Sequence, residues 1–122
     1  MKAPRIFALL ALLATVGTAN ATRVIEQPER SFELGLAQLT LPSSATGGVS
    51  FKTCESCAYS THVLQSSTRF AVNGQAVPFA EFTRIAEELR ANRTTRETTF
   101  AGVFIDADTG RVTRITLRHR NR

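Results

Sequence analysis

The chain has 122 residues, with 15 Lys and Arg against 10 Asp and Glu and a formal net charge of +5. That length bounds it to one small domain, and the mild positive excess excludes the charge of a dedicated nucleic-acid binder. There is no tryptophan, and cysteine usage is minimal, at Cys54 and Cys57 only.

The first 21 residues carry the parts of a cleavable secretory signal: a positive segment, an apolar stretch and small residues at a cleavage site. Lys2 and Arg5 supply the charge, Ile6 to Val16 is an uncharged apolar run, and Ala19 and Ala21 flank Asn20. A spanning helix needs about 20 apolar residues, nearly twice this run, so cleavage is expected rather than an anchor. Thr22 stands where a lipoprotein needs cysteine, which argues against a lipid anchor. The expected organisation is therefore a signal peptide at 1–21, a polar lead-in at 22–31 and one domain at 32–122. Losing Lys2 and Arg5 would leave the mature chain at +3. No later stretch is apolar enough to span a bilayer, so no transmembrane segment is expected in the mature chain.

Phe32 to Leu41 is apolar-rich, with Ala37, Leu39 and Leu41 alternating, and predicts a first strand. Pro42 to Gly48 has the composition of a loop. Val49 to Leu64 predicts a β-hairpin closed around the cysteines. A two-residue turn at Glu55-Ser56 would pair Phe51 with Ser60 and Val49 with His62, mixing polar and apolar residues on one face. A three-residue loop, Cys54-Glu55-Ser56, pairs Phe51 with Tyr59 and gathers Val49, Phe51, Tyr59 and Val63 on one face. A one-residue slip turns the whole set over, so the longer loop is expected, with His62 on the solvated side.

Thr68 to Val72 and Gln75 to Val77 flank Asn73-Gly74, the pair best suited to the positive φ angles of a type I′ turn. Pro78 suits the first position of a helix. Phe79, Phe82, Ile85, Ala86 and Leu89 then form one apolar stripe, which predicts a helix over about Pro78 to Ala91. Asn92 to Thr98 reads as a polar linker. Phe100 to Ile105 and Val112 to Leu117 read as strands joined by Asp106 to Gly110. The order β-β-β-β-α-β-β predicts an α+β fold, a small antiparallel sheet of hairpins with one amphipathic helix packed across it.

Two features could carry chemistry. A redox-active CxxC sits between a strand and a helix N-terminus, but Ala58 to Leu64 is strand-like, which argues against a thioredoxin-like site. Covalent haem needs His after the second cysteine, and Ala58 is there. A zinc site needs two more ligands, and His62 and His119 are the only histidines. The pair Cys54 and Cys57 thus reads as a structural disulfide, with a redox pair or a metal site as alternatives. The second feature is the C-terminal run. In an extended strand Arg114, Arg118, Arg120 and Arg122 project to one face with Thr116, a possible contact for a polyanion or a solvated edge guarded by charge. Asp106-x-Asp108-x-Gly110 resembles the start of a calcium loop but lacks its terminal Glu, and reads as a turn. No nucleophile elbow, HExxH or phosphate loop is present, so catalytic residues, cofactors and metals are not expected.

The residues Leu41-Pro42, Gly48 to Phe51, Cys54, Cys57, Thr68-x-Phe70-x-Val72-Asn73-Gly74 and Val77-x-Phe79-x-Glu81-Phe82 resemble small exported proteins of Gram-negative bacteria. The resemblance spans the middle third of the chain. It implies the periplasm rather than the medium, and brings no activity and no site residues. The function expected is a non-enzymatic periplasmic module that binds an envelope component or protein partner, with no nucleic acid expected. The alternative is a thiol-redox or soft-metal-handling protein using Cys54 and Cys57.

Overall fold

Seven strands curl around one amphipathic helix in the computed structural model, which describes residues 28–120. The signal peptide, most of the lead-in and Arg122 lie outside the described residues. The elements are β1 (Glu29–Gly35), a 3₁₀ turn (Leu36–Gln38), β2 (Leu39–Thr40), β3 (Gly48–Phe51) and β4 (Ser60–Val72). They continue as β5 (Gln75–Val77), α1 (Phe79–Ala91), α2 (Arg93–Thr98), β6 (Thr99–Asp106) and β7 (Val112–His119). The sheet runs β1-β6-β7-β4-β3-β2, with β5 paired to β4.

The α+β class is as expected, but three features of the architecture are not. The sheet is a strongly curled half-barrel. It contains one parallel pair, β4 with β7, because β7 is reached only after a crossover through both helices and β6, the kind of long connection that parallel pairing requires. The segment expected as a linker holds a second helix, α2. Its start was encoded: Asn92 is a preferred N-cap, and its Oδ1 accepts from the Thr94 and Thr95 N–H groups at 2.9 and 3.4 Å. An exposed Arg93–Glu97 pair at 3.2 Å spans the helix.

β4 merges what the sequence divides into two strands. Leu64 pairs with Val112 and Arg69 with Arg114, and the register shifts between them. Across this bulge the Thr68 hydroxyl donates to the Val112 carbonyl at 2.7 Å and accepts from the Gln65 N–H at 2.9 Å. A bulge bends its strand. The first half of β4 therefore pairs with β3 and the second half with β5, and the bend helps curl the sheet.

The register of the first hairpin is the one disfavoured above: Phe51 pairs with Ser60 and Val49 with His62. The physical reason lies outside the hairpin. The His62 ring stacks on Phe51, with centroids 5.5 Å apart and planes 21° apart, and its Nδ1 meets the Gly110 carbonyl at 3.0 Å. A hydrogen-bonded imidazole can face inward at little cost, where an unpaired one could not. His62 is thus half-buried, not solvated. Tyr59 falls outside the strand and is 60% exposed, and Val63, opposite Gly48, is 51% exposed.

The first predicted strand is also divided. Leu34, Leu36 and Leu39 are buried while Ala37 is exposed, so the apolar spacing changes from two to three at the 3₁₀ turn. The Gln38 side chain accepts from the Gly35 N–H at 3.2 Å to hold that turn. It carries the chain from one edge of the sheet, β1, to the other, β2.

The core fills the concave side. Ala101, Val103 and Ile105 of β6 and Val112, Ile115 and Leu117 of β7 are buried there. Phe82 and Ala86 of α1 are buried against them, and the Phe82 and Phe79 rings lie 5.1 and 5.3 Å from Phe70. Pro78 sits just before the helix, as its N-cap. The Arg90 guanidinium donates to the Leu39 carbonyl, tying α1 to β2. Burial pushes its pKa down, opposed by the nearby Glu87 carboxylate. Asn73 and Gly74 have φ of 50° and 83°, the two positive values that the Asn-Gly turn predicts.

Candidate functional site

Alternation decides what β6 and β7 present to the outside. Phe100, Gly102 and Phe104 point away from the core that Ala101, Val103 and Ile105 fill. On β7 a register shift between the Ile105–Val112 and Phe104–Arg114 pairs leaves Thr113 extra. From Arg114 onward, Arg114, Thr116 and Arg118 face out while Ile115 and Leu117 are buried. The expected grouping of Arg114 and Arg118 with Thr116 is therefore found. Arg120 is exposed, one residue past the end of β7.

The antiparallel register sets these residues in rows. Phe104 lies opposite Arg114, Gly102 opposite Thr116 and Phe100 opposite Arg118. On the far side of β7, Arg69 of β4 lies beside Arg114 and Ala71 beside Thr116. On the far side of β6, Ser31, Glu33 and Gly35 of β1 continue the rows. The Arg114 guanidinium lies over the Phe104 ring, 3.9 Å from its centroid, a cation–π contact. Phe100 is 49% exposed. The resulting groove holds about 240 Å³ and is lined by Glu33, Phe100, Gly102, Phe104, Thr116 and Arg118, among others. Among the described residues no carboxylate stands within ion-pair distance of Arg69, Arg114 or Arg118.

The phenylalanines were missed at the sequence level because Phe100 to Ile105 is apolar on both faces. Counting back across the Asp106–Gly110 turn from Arg114 and Arg118 could have found them. Arg69 has no such signal, since its place depends on the parallel pairing of β4 with β7.

The cysteines occupy a different place, the loop between β3 and β4. The Cys54 and Cys57 sulfurs stand at disulfide distance, with Cα atoms 5.0 Å apart. The Cys57 N–H donates to the Cys54 carbonyl at 3.1 Å, closing a turn. Lys52 Nζ donates to the Glu55 carbonyl at 3.1 Å and lies 5.4 Å from the Tyr59 ring centroid. Asp106 and Asp108 are not paired as ligands. Asp106 Oδ1 instead accepts from the N–H groups of Asp108 at 2.8 Å and Thr109 at 3.2 Å, which is turn chemistry. Among the described residues no three His, Cys, Asp or Glu side chains gather as a metal site, and no helix is long and apolar enough to cross a membrane.

Comparison of the chain with protein-family models, with curated proteins and with solved structures gave no match, so the reading of this site rests on its own chemistry.

Proposed function

We propose that this protein is an exported, non-enzymatic module of the periplasm that binds an acidic envelope component or partner through the arginine-bearing outer face of its sheet. The observation that carries the reading is the group of exposed arginines on one face. Arg114 and Arg118 share one face with Arg69, with no acidic partner in contact among the described residues. Unneutralised guanidinium groups recognise carboxylate and phosphate groups through paired hydrogen bonds. Arg120 is exposed just past the strand, and Arg122 adds a further positive charge two residues on in the sequence.

Replacing Arg114, Arg118, Arg120 and Arg122 by Ser is expected to weaken polyanion binding about tenfold or more and to flatten its dependence on salt, because fewer counterions are released. Titration at several salt concentrations measures both. Binding and salt slope unchanged from wild type would overturn the proposal.

A second reading takes Cys54 and Cys57 as a reactive pair, favoured by their closeness in a surface loop. The two readings predict different behaviour for Cys54→Ser/Cys57→Ser. A structural bond closing so short a loop contributes about 2 kcal/mol through the unfolded chain, so the variant is expected to melt about 8–15 °C lower and still bind polyanions. A redox or soft-metal role predicts ready reduction by mild reductant, or stoichiometric Cu(I) or Zn(II) uptake by the reduced wild type. Thermal melts, thiol titration and metal titration of the same preparation separate them.

A further inference from the structure

We infer that the outer groove is a binding trench for an acidic glycan chain, with a sugar ring on Phe100 and sugar carboxylates on the arginines. The inference rests on the reading of this face as an anion contact and adds the class of ligand. The trench crosses the strands. Its floor is the central row, Glu33, Gly102, Thr116 and Ala71, on β1, β6, β7 and β4. One wall is Phe104, Arg114 and Arg69, and the other is Phe100 and Arg118. Strand geometry puts the wall rows about 13 Å apart and the four-strand floor about 14 Å long.

Gly102 keeps the floor low. A Cβ there would stand 2.6 Å from Thr116 Oγ1 and 3.3 Å from the Phe104 ring, closer than ordinary contact, so any side chain would displace the groups around it. Each wall combines an aromatic ring with a guanidinium group, and the floor carries a hydroxyl and a carboxylate.

That combination selects among anions. The half-exposed Phe100 ring offers flat apolar surface to the C–H face of a sugar, while the Phe104 ring, covered by Arg114, backs that guanidinium. The guanidinium forks match carboxylates, and Glu33 and Thr116 can accept hydrogen bonds from sugar hydroxyls. A neutral glycan leaves the arginines unmatched. A polyphosphate meets the arginines alone, wasting the Phe100 ring and facing repulsion from Glu33, an element that discriminates against bare charge. A lipid bilayer is too flat to reach a floor set between two rings, and its negative surface also meets Glu33.

The test is calorimetric titration of the purified protein with a uronate oligosaccharide, alongside a neutral oligosaccharide, a polyphosphate and anionic phosphatidylglycerol vesicles. The uronate chain is expected to bind in preference to the other three. Phe100→Ser, at a half-exposed position outside the core, is expected to weaken uronate binding about tenfold, as loss of an aromatic anchor does, and to change polyphosphate binding less than twofold. Gly102→Val fills the floor and is expected to abolish uronate binding; a thermal melt checks that it folds, and Phe100→Ser decides the matter if it does not. Uronate affinity unchanged by Phe100→Ser, or a preference for polyphosphate, neutral glycan or vesicles, would overturn the inference. If polyphosphate binding still falls in the arginine variant, the anion reading survives that result. If wild type binds no polyanion, both fail.

Discussion

Phe82→Ala is expected to lower the stability of the domain by about 3–5 kcal/mol, the cost of emptying a fully enclosed phenylalanine site. The Phe82 ring is fully buried where α1 enters the half-barrel, against Phe70 at 5.1 Å. With Ala86 it is one of the two fully buried residues by which α1 packs on the concave side. Domains of this kind have only about 5–15 kcal/mol in total, so the loss is a large share of it and should show as a clearly lower urea midpoint. Urea titration measures it, with Phe79→Ala as the comparison. Phe79 is only partly buried and should cost less. A loss below about 1 kcal/mol for Phe82→Ala would mean that the helix does not plug the sheet.

Phe51→Ala should cost a similar 3–5 kcal/mol, and its pairwise couplings test the strand register. Phe51 is buried between Phe32 of β1, at 5.3 Å, and the stacked His62 ring of β4, at 5.5 Å. Ring pairs of this kind contribute about 0.5–1.5 kcal/mol beyond burial, which double-mutant cycles isolate. Cycles of Phe51→Ala with Phe32→Ala and with His62→Ala are expected to give couplings of that size. A cycle with Tyr59→Ala is expected to give none, because Tyr59 is exposed and outside the strand. Coupling to Tyr59 and none to His62 would restore the register that hydrophobic patterning alone prefers.

The same residues mark what could be read from the sequence. Asn73-Gly74 and the stripe from Phe79 to Leu89 were legible because turn chemistry and helical period act within a few residues. The grouping of Arg114 and Arg118 was legible because strand alternation is equally local, and the bulge at Thr113 comes before it. The hairpin register was not. His62 faces inward because its ring nitrogen meets the Gly110 carbonyl, 48 residues away, a partner that no local pattern announces. The parallel pairing of β4 with β7 was hidden for the same reason, and with it the place of Arg69. Helix α2 has a visible cap in Asn92, but Arg93–Thr98 buries no residue and so carries no apolar period to announce it. Gly102 and the flanking phenylalanines were concealed by an apolar run that does not distinguish its two faces. The site was therefore half legible: its charges were, and its aromatic walls and glycine floor were not.

The outer face of β6 and β7 is the surface proposed to meet an acidic ligand. Backbone amide NMR of the folded protein, titrated with a uronate oligosaccharide, addresses this directly. The expected result is a saturable set of shift changes centred on Phe100, Gly102, Thr116 and Arg118, extending to Glu33 and Arg69, with the Cys54–Cys57 loop unmoved. Shift changes confined to Lys52–Tyr59, or none at saturating ligand, would contradict it.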